Sequence, residues 1–297
     1  MMDNKAVVLI TGASSGFGRL TAELLARKGY SVFATMRDIN GRNATAAIAL
    51  KELATAESLR LQVREMDVTQ DLAVRSCIKQ VVEQTGRIDV LVNNAGFGYL
   101  GLMEAFSLDQ AQRIFDTNVF GVLRTIRAVL PYMHKQHSGL LIQVSSGAGR
   151  IVLPAMGLYC ASKFALEAIS ETYAYELAAS GIESVSIQPG AYPTAIFGKL
   201  DSGLDSARET QYHTATEFAP RVRAALESSK ANPNEIAEAI LRVIETEPGK
   251  RQLRYRVGQG AGGVELLNEA ALEAQRKTLN AFNLLELTSF RKDAAPR

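Results

Sequence analysis

Over roughly the first two thirds of the chain, short apolar runs alternate with longer stretches whose apolar positions recur at helical spacing. Ala6-Val7-Val8-Leu9-Ile10 is a continuous apolar run ending in a glycine-rich turn, the pattern of a strand buried on both faces. Leu20, Ala22, Leu24 and Leu25 then lead a helix that Gly29 should stop from a left-handed terminal position. Tyr30 to Thr35, Leu59 to Met66 and Ile88 to Asn93 read as the second, third and fourth strands. Between the last two lies a helix from about Gln70, with Thr69 as its N-cap and Gly86 as its stop. Ser107-x-x-Gln110 has the form of a capping box and opens a helix carrying Ile114, Phe115, Val119, Val122 and Leu123. Leu140 to Val144 is a fifth strand, a long helix runs from Ala155 to Ala179 and ends at Gly181, and Ser184 to Gln188 is a sixth strand.

This alternation predicts an α/β fold, a doubly wound parallel sheet with helices on both faces, as a single domain over residues 1–297. After Pro189 the pattern loosens, and residues 191–225 read as a mobile substrate loop. Asn234 to Glu245 returns to a helix with Ile236, Ile240, Val243 and Ile244 on one face. Leu253, Tyr255 and Val257 alternate with Arg254 and Arg256 as a strand, and 275–297 reads as a helical C-terminal extension.

Composition narrows the function classes. With 47% apolar and 22% charged residues and a net charge of +2 over 297 residues, the chain is ordinary for a globular protein. Nothing points to a nucleic-acid or membrane-surface partner. No apolar stretch reaches the roughly 20 residues of a membrane span, and no secretory leader is evident, so a cytoplasmic location is expected. Cys77 and Cys160 lack the context of a disulfide framework or a metal site and read as reduced thiols. His134 and His137 suit the end of a helix better than a metal, so no metal is expected. Lys250, Arg251, Arg254 and Arg256 read as a solvated strand edge. Tyr192, Phe197, Tyr212 and Phe218 fit a substrate lid or core packing equally well.

The candidate chemistry sits between these elements. Thr11-Gly12-Ala13-Ser14-Ser15-Gly16-Phe17-Gly18 joins the first strand to the first helix. Glycines there let the backbone approach a pyrophosphate, and the helix N-terminus offers unpaired N–H groups to it. Tyr159 and Lys163 stand four residues apart on one helix face. The ammonium should lower the phenol's pKa, fitting the tyrosine to exchange a proton with a carbonyl or alcohol. Ser146 follows the fifth strand, at the sheet edge where α/β proteins bind ligands, and reads either as an orienting hydroxyl or as a turn serine. Asn93-Asn94-Ala95-Gly96 closes the fourth strand and Asn118 lies in the next helix. Asp67-Val68 ends the third strand, where the acid could accept a bond from an adenine amino group or serve a helix cap.

Taken together in this order and spacing, these motifs resemble the classical short-chain dehydrogenase/reductase family over about residues 5 to 200. Val32 to Asp38 and Leu158 to Glu167 are most similar in wording to its branch of 17β-hydroxysteroid dehydrogenase-like enzymes and carbonyl reductases, which act on lipophilic ketones and secondary alcohols. The resemblance implies a nicotinamide coenzyme and a catalytic tetrad of Asn118, Ser146, Tyr159 and Lys163. In that tetrad Tyr159 is the acid/base, Ser146 fixes the substrate oxygen, Lys163 holds the nicotinamide ribose, and Asn118 holds a water linking Lys163 to solvent. It also implies coenzyme contacts at Gly12, Ser14, Ser15, Gly16, Phe17, Gly18, Asp67, Val68, Asn94, Ala95 and Gly96, and at Pro189, Gly190 and Thr194 beside the nicotinamide. After the second strand, Met36 stands where the family's NAD-type acid is expected and Arg37 where a basic residue would take a 2′-phosphate, which favours NADP(H) over NAD(H). The expectation is an NADP(H)-dependent oxidoreductase acting on a small-molecule carbonyl or alcohol, as a homodimer or homotetramer paired through residues 107–136 and 155–180. The alternatives are an NAD-linked alcohol dehydrogenase of the same fold and a cofactor-sensing protein without turnover.

Overall fold

The structure is a computed structural model that describes residues 5–193, 196, 205–258 and 262–289. The element order is β1 (Val7–Ile10), α1 (Gly16–Arg27), β2 (Ser31–Met36), α2 (Ala44–Ala56), β3 (Leu61–Glu65), α3 (Asp71–Thr85), β4 (Val90–Asn93), α4 (Leu108–Phe115), α5 (Gly121–Gln136), β5 (Gly139–Val144), α6 (Gly157–Glu176), β6 (Ile182–Pro189), α7 (Ser206–Glu209), α8 (Phe218–Glu227), α9 (Asn234–Glu245), β7 (Arg254–Val257) and α10 (Gly262–Ala281). The strands form one sheet in the order β3-β2-β1-β4-β5-β6-β7, and every pairing is parallel. β1 and β4 are neighbours although β2 and β3 lie between them in sequence, so the strand order reverses there, the switch point at whose carboxyl end such sheets form a ligand crevice.

The strands are apolar on both faces because both faces are covered. Val8, Ile10, Val32, Val92 and Ile142 pack with α1, α2 and α9 on one side. Leu9, Phe33, Leu91 and Leu141 pack with α3, α5 and part of α6 on the other. Gly29, Gly86 and Gly181 all take the left-handed conformation that ends the preceding helical segment. Ser107 and Gln110 form the capping box, with Gln110 N–H donating to Ser107 Oγ at 3.2 Å and Ser107 N–H donating to Gln110 Oε1 at 2.9 Å.

Several local expectations change. Thr69 is not the cap of α3; its N–H and hydroxyl both donate to Asp67 Oδ1, at 2.9 and 2.8 Å, which closes the turn before the helix. The helix opened by Ser107 is interrupted by a π-helical turn over Asp116–Phe120 before α5 begins. The described part of 191–225 is not irregular: α7, a 3₁₀ segment Thr210–Glu217 and α8 cover it. Asp205 N–H donates to Ala105 O at 2.9 Å, and Arg208 and Tyr212 both bind Glu104. Tyr192 is core, packing edge-on against Phe17 at 5.4 Å and donating to Glu235 Oε2 at 2.8 Å.

Only part of the basic stretch near β7 is a solvated edge: Lys250 is exposed, but Arg251 and Arg254 have buried side chains. Arg254 donates to Glu171 Oε1 at 2.7 Å and to Gln275 Oε1 at 2.9 Å, and Arg251 is ion-paired with Glu183. The cause is α10, which begins at Gly262 and packs against β7, covering the face that the alternation assigned to solvent. His134 and His137 lie in the last turn of α5, where His137 takes a left-handed φ of 49° as the C-cap. Both thiols are buried and unbridged, and burial pushes Cys77 up to about 11. Among the described residues, no helix is long and apolar enough to cross a membrane.

Candidate active site

The loops after β1 and β4 are tied into one unit at the head of the crevice. Thr11 Oγ1 accepts the backbone N–H groups of Asn94 and Ala95, both at 2.9 Å. Asn94 Nδ2 donates to the carbonyls of Thr11 and Gly12 at 2.9 and 3.0 Å. The turn is compact enough to require glycine. Gly12 has φ +68°, and a Cβ on it would stand 2.7 Å from Ala95 Cα. A Cβ on Gly18 would stand 2.7 Å from Gly12 O and collide with the Asn94 amide. Gly12→Ala should therefore destabilise the protein by more than about 1 kcal/mol, seen as a lower urea midpoint with an unchanged slope.

Gly16 opens α1, and Ser15 stands at its N-cap in extended conformation with no side-chain capping bond. No acidic residue lies in the first turn. Its leading N–H groups, with Ser14 and Ser15 beside them, therefore present a partial positive charge to an anion. Phe17 leans on Tyr192 instead of facing the crevice alone. At the next loop Arg37 is exposed, directly after β2. Asp38, at φ +50° and also exposed, folds its carboxylate over its own turn to accept Arg42 N–H at 2.9 Å. Asn43 Nδ2 donates to Arg37 O at 2.6 Å and braces the same turn. Asp67 is occupied by Thr69, and Val68 lies under Gly121, whose Cβ would stand 2.8 Å from Val68 Cγ2.

Asn93, which the motif groups with Asn94, serves the core instead. It donates to Gln143 Oε1 at 2.8 Å and accepts from Thr125 Oγ1 at 2.7 Å, linking β4 to β5 and α5. Asn118 sits in the π-helical turn, where an extra residue per turn commonly marks a functional position. Its Oδ1 accepts Phe97 N–H at 3.1 Å, and its Nδ2 donates to Phe97 O at 2.9 Å and Ser162 Oγ at 3.0 Å. Both amide hydrogens are committed, so its side chain braces the β4 loop against α6. A Cβ on Gly96 would come within 3.1 Å of Asn118 Oδ1 and 3.8 Å of Lys163 Nζ, so the glycine leaves the crevice floor open there.

Ser146, just past β5, caps a short 3₁₀ turn by accepting Ala148 N–H at 3.1 Å, and it is also hydrogen-bonded to the Tyr159 phenol. The turn-serine reading therefore holds, and the same hydroxyl faces the Tyr159 phenol. Lys163 Nζ donates to Val144 O at 2.9 Å and lies 5.8 Å from the Tyr159 ring centroid. Pro189 ends β6, and Gly190 N–H donates to Val257 O at 2.9 Å. Thr194 lies outside the described residues.

The electrostatics differ from what the Tyr159–Lys163 spacing predicts. The neighbouring ammonium does not bring the phenol below its ordinary value. Burial pushes it up to about 12, partly offset by the Ser146 hydrogen bond. The same burial brings Lys163 down to about 8, with the Glu167 carboxylate acting in the opposite sense. The ammonium turns toward Val144 O, and the protein alone does not counter the cost of an ionised phenol in this site.

Sequence reasoning misses the apolar wall beside Tyr159. Tyr99, Leu100, Ile114, Met156 and Leu158 form a buried cluster with Tyr159, and Phe97, Phe106, Ile196 and Val222 pack on it. The one local signal is Phe97-Gly98-Tyr99 immediately after the Asn-Asn-Ala-Gly run; Gly98 makes room for the Tyr159 ring, which a Cβ would meet at 3.0 Å.

Comparison with known proteins agrees with this architecture. A family profile described as short chain dehydrogenase matches residues 6–205. Human retinol dehydrogenase 8 is 36% identical over 260 residues, covering 84% of this chain and 81% of its own. Human 17-beta-hydroxysteroid dehydrogenase type 1 is 35% identical, covering 84% of this chain and 77% of its own. A solved short-chain dehydrogenase from Streptomyces avermitilis superposes with a TM-score of 0.76 at 31% identity, covering 95% of this chain and 98% of that one. The glycine-rich β1 turn tied to the β4 loop, with the half-buried Ser146 and the buried Tyr159 and Lys163 beyond it, thus meets a match across two thirds of the sequence: the chain belongs to the short-chain dehydrogenase/reductase family, oxidoreductases that use a nicotinamide coenzyme on alcohols and ketones.

Proposed function

We propose that this protein is an NADP(H)-dependent oxidoreductase that interconverts a lipophilic ketone and its secondary alcohol, with Tyr159 as the acid/base. The observation that carries the reading is the buried Tyr159 phenol, hydrogen-bonded to Ser146 and flanked by Lys163, at the carboxyl end of β5. Glycines at 12, 18 and 96, where a Cβ would strike a neighbour, fit the close approach of a dinucleotide. Gly12, Ser14, Ser15, Gly16, Phe17 and Gly18 would hold its pyrophosphate, Asp67 and Val68 its adenine, and Asn94, Ala95, Gly96, Pro189 and Gly190 its nicotinamide half. When bound, the coenzyme would supply the hydride in one direction and, oxidised, accept it in the other.

Ser146 fixes the carbonyl oxygen by hydrogen bonding. Tyr159 gives that oxygen a proton as the carbonyl carbon receives the hydride, and the resulting phenolate regains its proton from solvent. In the oxidative direction the phenolate takes the alcohol proton as the hydride leaves the carbinol carbon. Lys163 stabilises the phenolate electrostatically and would hold the ribose, and Asn118 fixes the loop that carries Phe97. The apolar cluster around Tyr99, Met156 and Leu158 suits a lipophilic substrate, and retinol and a 17β-hydroxysteroid, named in the two human relatives, are molecules of that class.

NADP(H) is favoured because Arg37 is exposed after β2, while the carboxylate of Asp38, also exposed, is taken up by the Arg42 N–H of its own turn. Arg37→Ala should raise the dissociation constant for NADPH at least about tenfold, a loss near that of one charge-assisted hydrogen bond, and leave that for NADH almost unchanged. Titration of both coenzymes by fluorescence checks this; equal losses for the two would remove the NADP(H) assignment. Pairing of subunits is part of the proposal and is supported by Phe120 and Phe164, exposed on the π-helical turn and α6. A cytoplasmic location is supported by the two unbridged thiols. The direct test is a panel of ketones and secondary alcohols with NADPH and NADP+. Coenzyme-dependent turnover on its lipophilic members supports the reading, and tight coenzyme binding without turnover would favour a sensing protein.

A further inference from the structure

Behind Lys163 lies a buried polar cluster that the catalytic reading does not use. Glu167, one turn further along α6, is 1% exposed. Its Oε2 accepts Gln188 Nε2 at 2.8 Å and Ser186 Oγ at 3.1 Å, both from β6, and lies 3.6 Å from the Arg150 guanidinium. A Cβ on Gly149 would stand 2.9 Å from Glu167 Cγ, so the turn that follows Ser146 is folded directly onto this side chain. α10 closes the cluster from outside, with Asn268 Nδ2 donating to Gln188 Oε1 at 2.8 Å and Gln275 bonded to Glu171. One carboxylate thus joins the catalytic helix to the end of β6 and to the turn after Ser146.

A buried carboxylate is costly unless it is paired, and the surrounding charges favour ionisation. Lys163 and Glu171 face Glu167 from α6, Arg150 faces it from the segment before α6, and Arg254 on β7 stands behind Glu171. Ser186 and Gln188 from β6, and Asn268 and Gln275 from α10, are neutral. Among the described residues around this cluster, three cations therefore face two carboxylates. We propose that Glu167 is a positioning residue of the active centre: its ionised carboxylate, one helical turn beyond Lys163, keeps that lysine protonated and so sets the pH at which Tyr159 exchanges its proton.

Burial opposes ionisation of Glu167 and pushes its pKa up, while Ser145, Gln188, Arg150 and Ser186 act against that rise. Burial is the largest of these influences, and the hydrogen bonds and the neighbouring guanidinium limit the rise it causes. Tyr159 and Lys163 titrate as a coupled pair. Removing a nearby negative charge makes every proton of that pair easier to lose, so both apparent midpoints must fall.

The inference rests on the oxidoreductase reading, and the test separates the two. In the coenzyme-free protein, NMR of isotope-labelled lysine follows the Lys163 side chain, assigned by its loss in Lys163→Met. The wild-type midpoint should lie at about 8, and Glu167→Gln, which keeps the shape and the acceptor oxygen, should lower it by about one pH unit or more. Glu167→Asp, which keeps the charge, should bring it back toward the wild type. The pH limb of alcohol oxidation should move to the acid side by a similar amount in Glu167→Gln. A Lys163 midpoint unchanged in Glu167→Gln would overturn the proposal. Should that variant not fold, the Glu167 carboxyl signal of the wild type decides: ionised at neutral pH supports it, and protonated overturns it. Failure of the wild type to turn over any substrate would remove the oxidoreductase reading and leave the lysine titration standing.

Discussion

Replacing Tyr159 by Phe should lower turnover by roughly 100- to 10,000-fold, the range general acid–base catalysis supplies, while the coenzyme dissociation constant changes by no more than a few-fold. The ring remains to fill its place against Tyr99, Met156 and Leu158, and only the hydroxyl bonded to Ser146 is lost. Loss of one such hydrogen bond costs about 1 kcal/mol of stability, so the variant should stay folded. Stopped-flow measurement of hydride transfer, with coenzyme binding followed by fluorescence, separates the two effects. A variant that kept wild-type turnover would show that another group handles the proton. Equal loss of coenzyme binding would show that the substitution had disturbed the crevice.

Lys163→Met should affect more functions than Tyr159→Phe. It removes a cation that favours the phenolate and, on the proposed reading, a ligand of the ribose, so turnover falls by at least about 100-fold and coenzyme affinity falls with it. Any residual alcohol oxidation should need a higher pH, because loss of a positive charge raises the Tyr159 pKa. Removing the charge of Glu167 should shift it the other way. Stability supplies an independent sign. Lys163 is held at about 8 in the folded protein against an ordinary 10.5. Below pH 8 both folded and unfolded chains carry the proton and the burial penalty is present in full. Between pH 8 and 10.5 the folded protein has released a proton that the unfolded chain still holds, so stability rises with pH. The rise is on the order of 3 kcal/mol. Lys163→Met should lack it, so it should appear as the difference between urea titrations of the two proteins across that window.

Features fixed by neighbours along the chain are legible in the sequence. The β1 turn, the glycine stops at 29, 86 and 181, the Ser107 capping box and the Tyr159–Lys163 face depend on spacings within one or two turns of chain. Features fixed by distant packing are not. α2 escapes notice because its run of alanines and scattered leucines buries only Ala47 and Leu50, which gives a weak apolar stripe. The π-helical turn at Asp116–Phe120 is hidden because the apolar spacing from Ile114 to Leu123 also fits one continuous helix. Arg254 reads as an outward residue of an alternating strand, and is a buried ion-pair partner only because α10 returns to cover β7.

The same distinction runs through the site. The motifs locate Tyr159, Lys163, Ser146 and the glycine turn, but the direction of the Tyr159 shift depends on burial to which Tyr99 and Ile114 contribute from separate segments. Asn118 is located by its place in the motif order, yet its side chain binds the Phe97 peptide and Ser162, contacts that depend on the fold of the β4 loop. Glu167 ends the Leu158–Glu167 wording that resembles the family branch, but nothing in the sequence points to its burial, since a glutamate on a helix is ordinarily solvated. Its importance depends on β6, the turn after Ser146 and α10 closing over it.

The central claim is that Tyr159 and Ser146 together hold the oxygen of the reacting group. A crystal structure with coenzyme and a substrate ketone, or an unreactive analogue of it, tests this most directly. The carbonyl oxygen should lie within about 2.6 to 3.2 Å of both the Tyr159 Oη and the Ser146 Oγ, with its carbon facing the nicotinamide ring. A ligand whose oxygen is bound elsewhere, with the Tyr159 hydroxyl turned away from it, would contradict the claim.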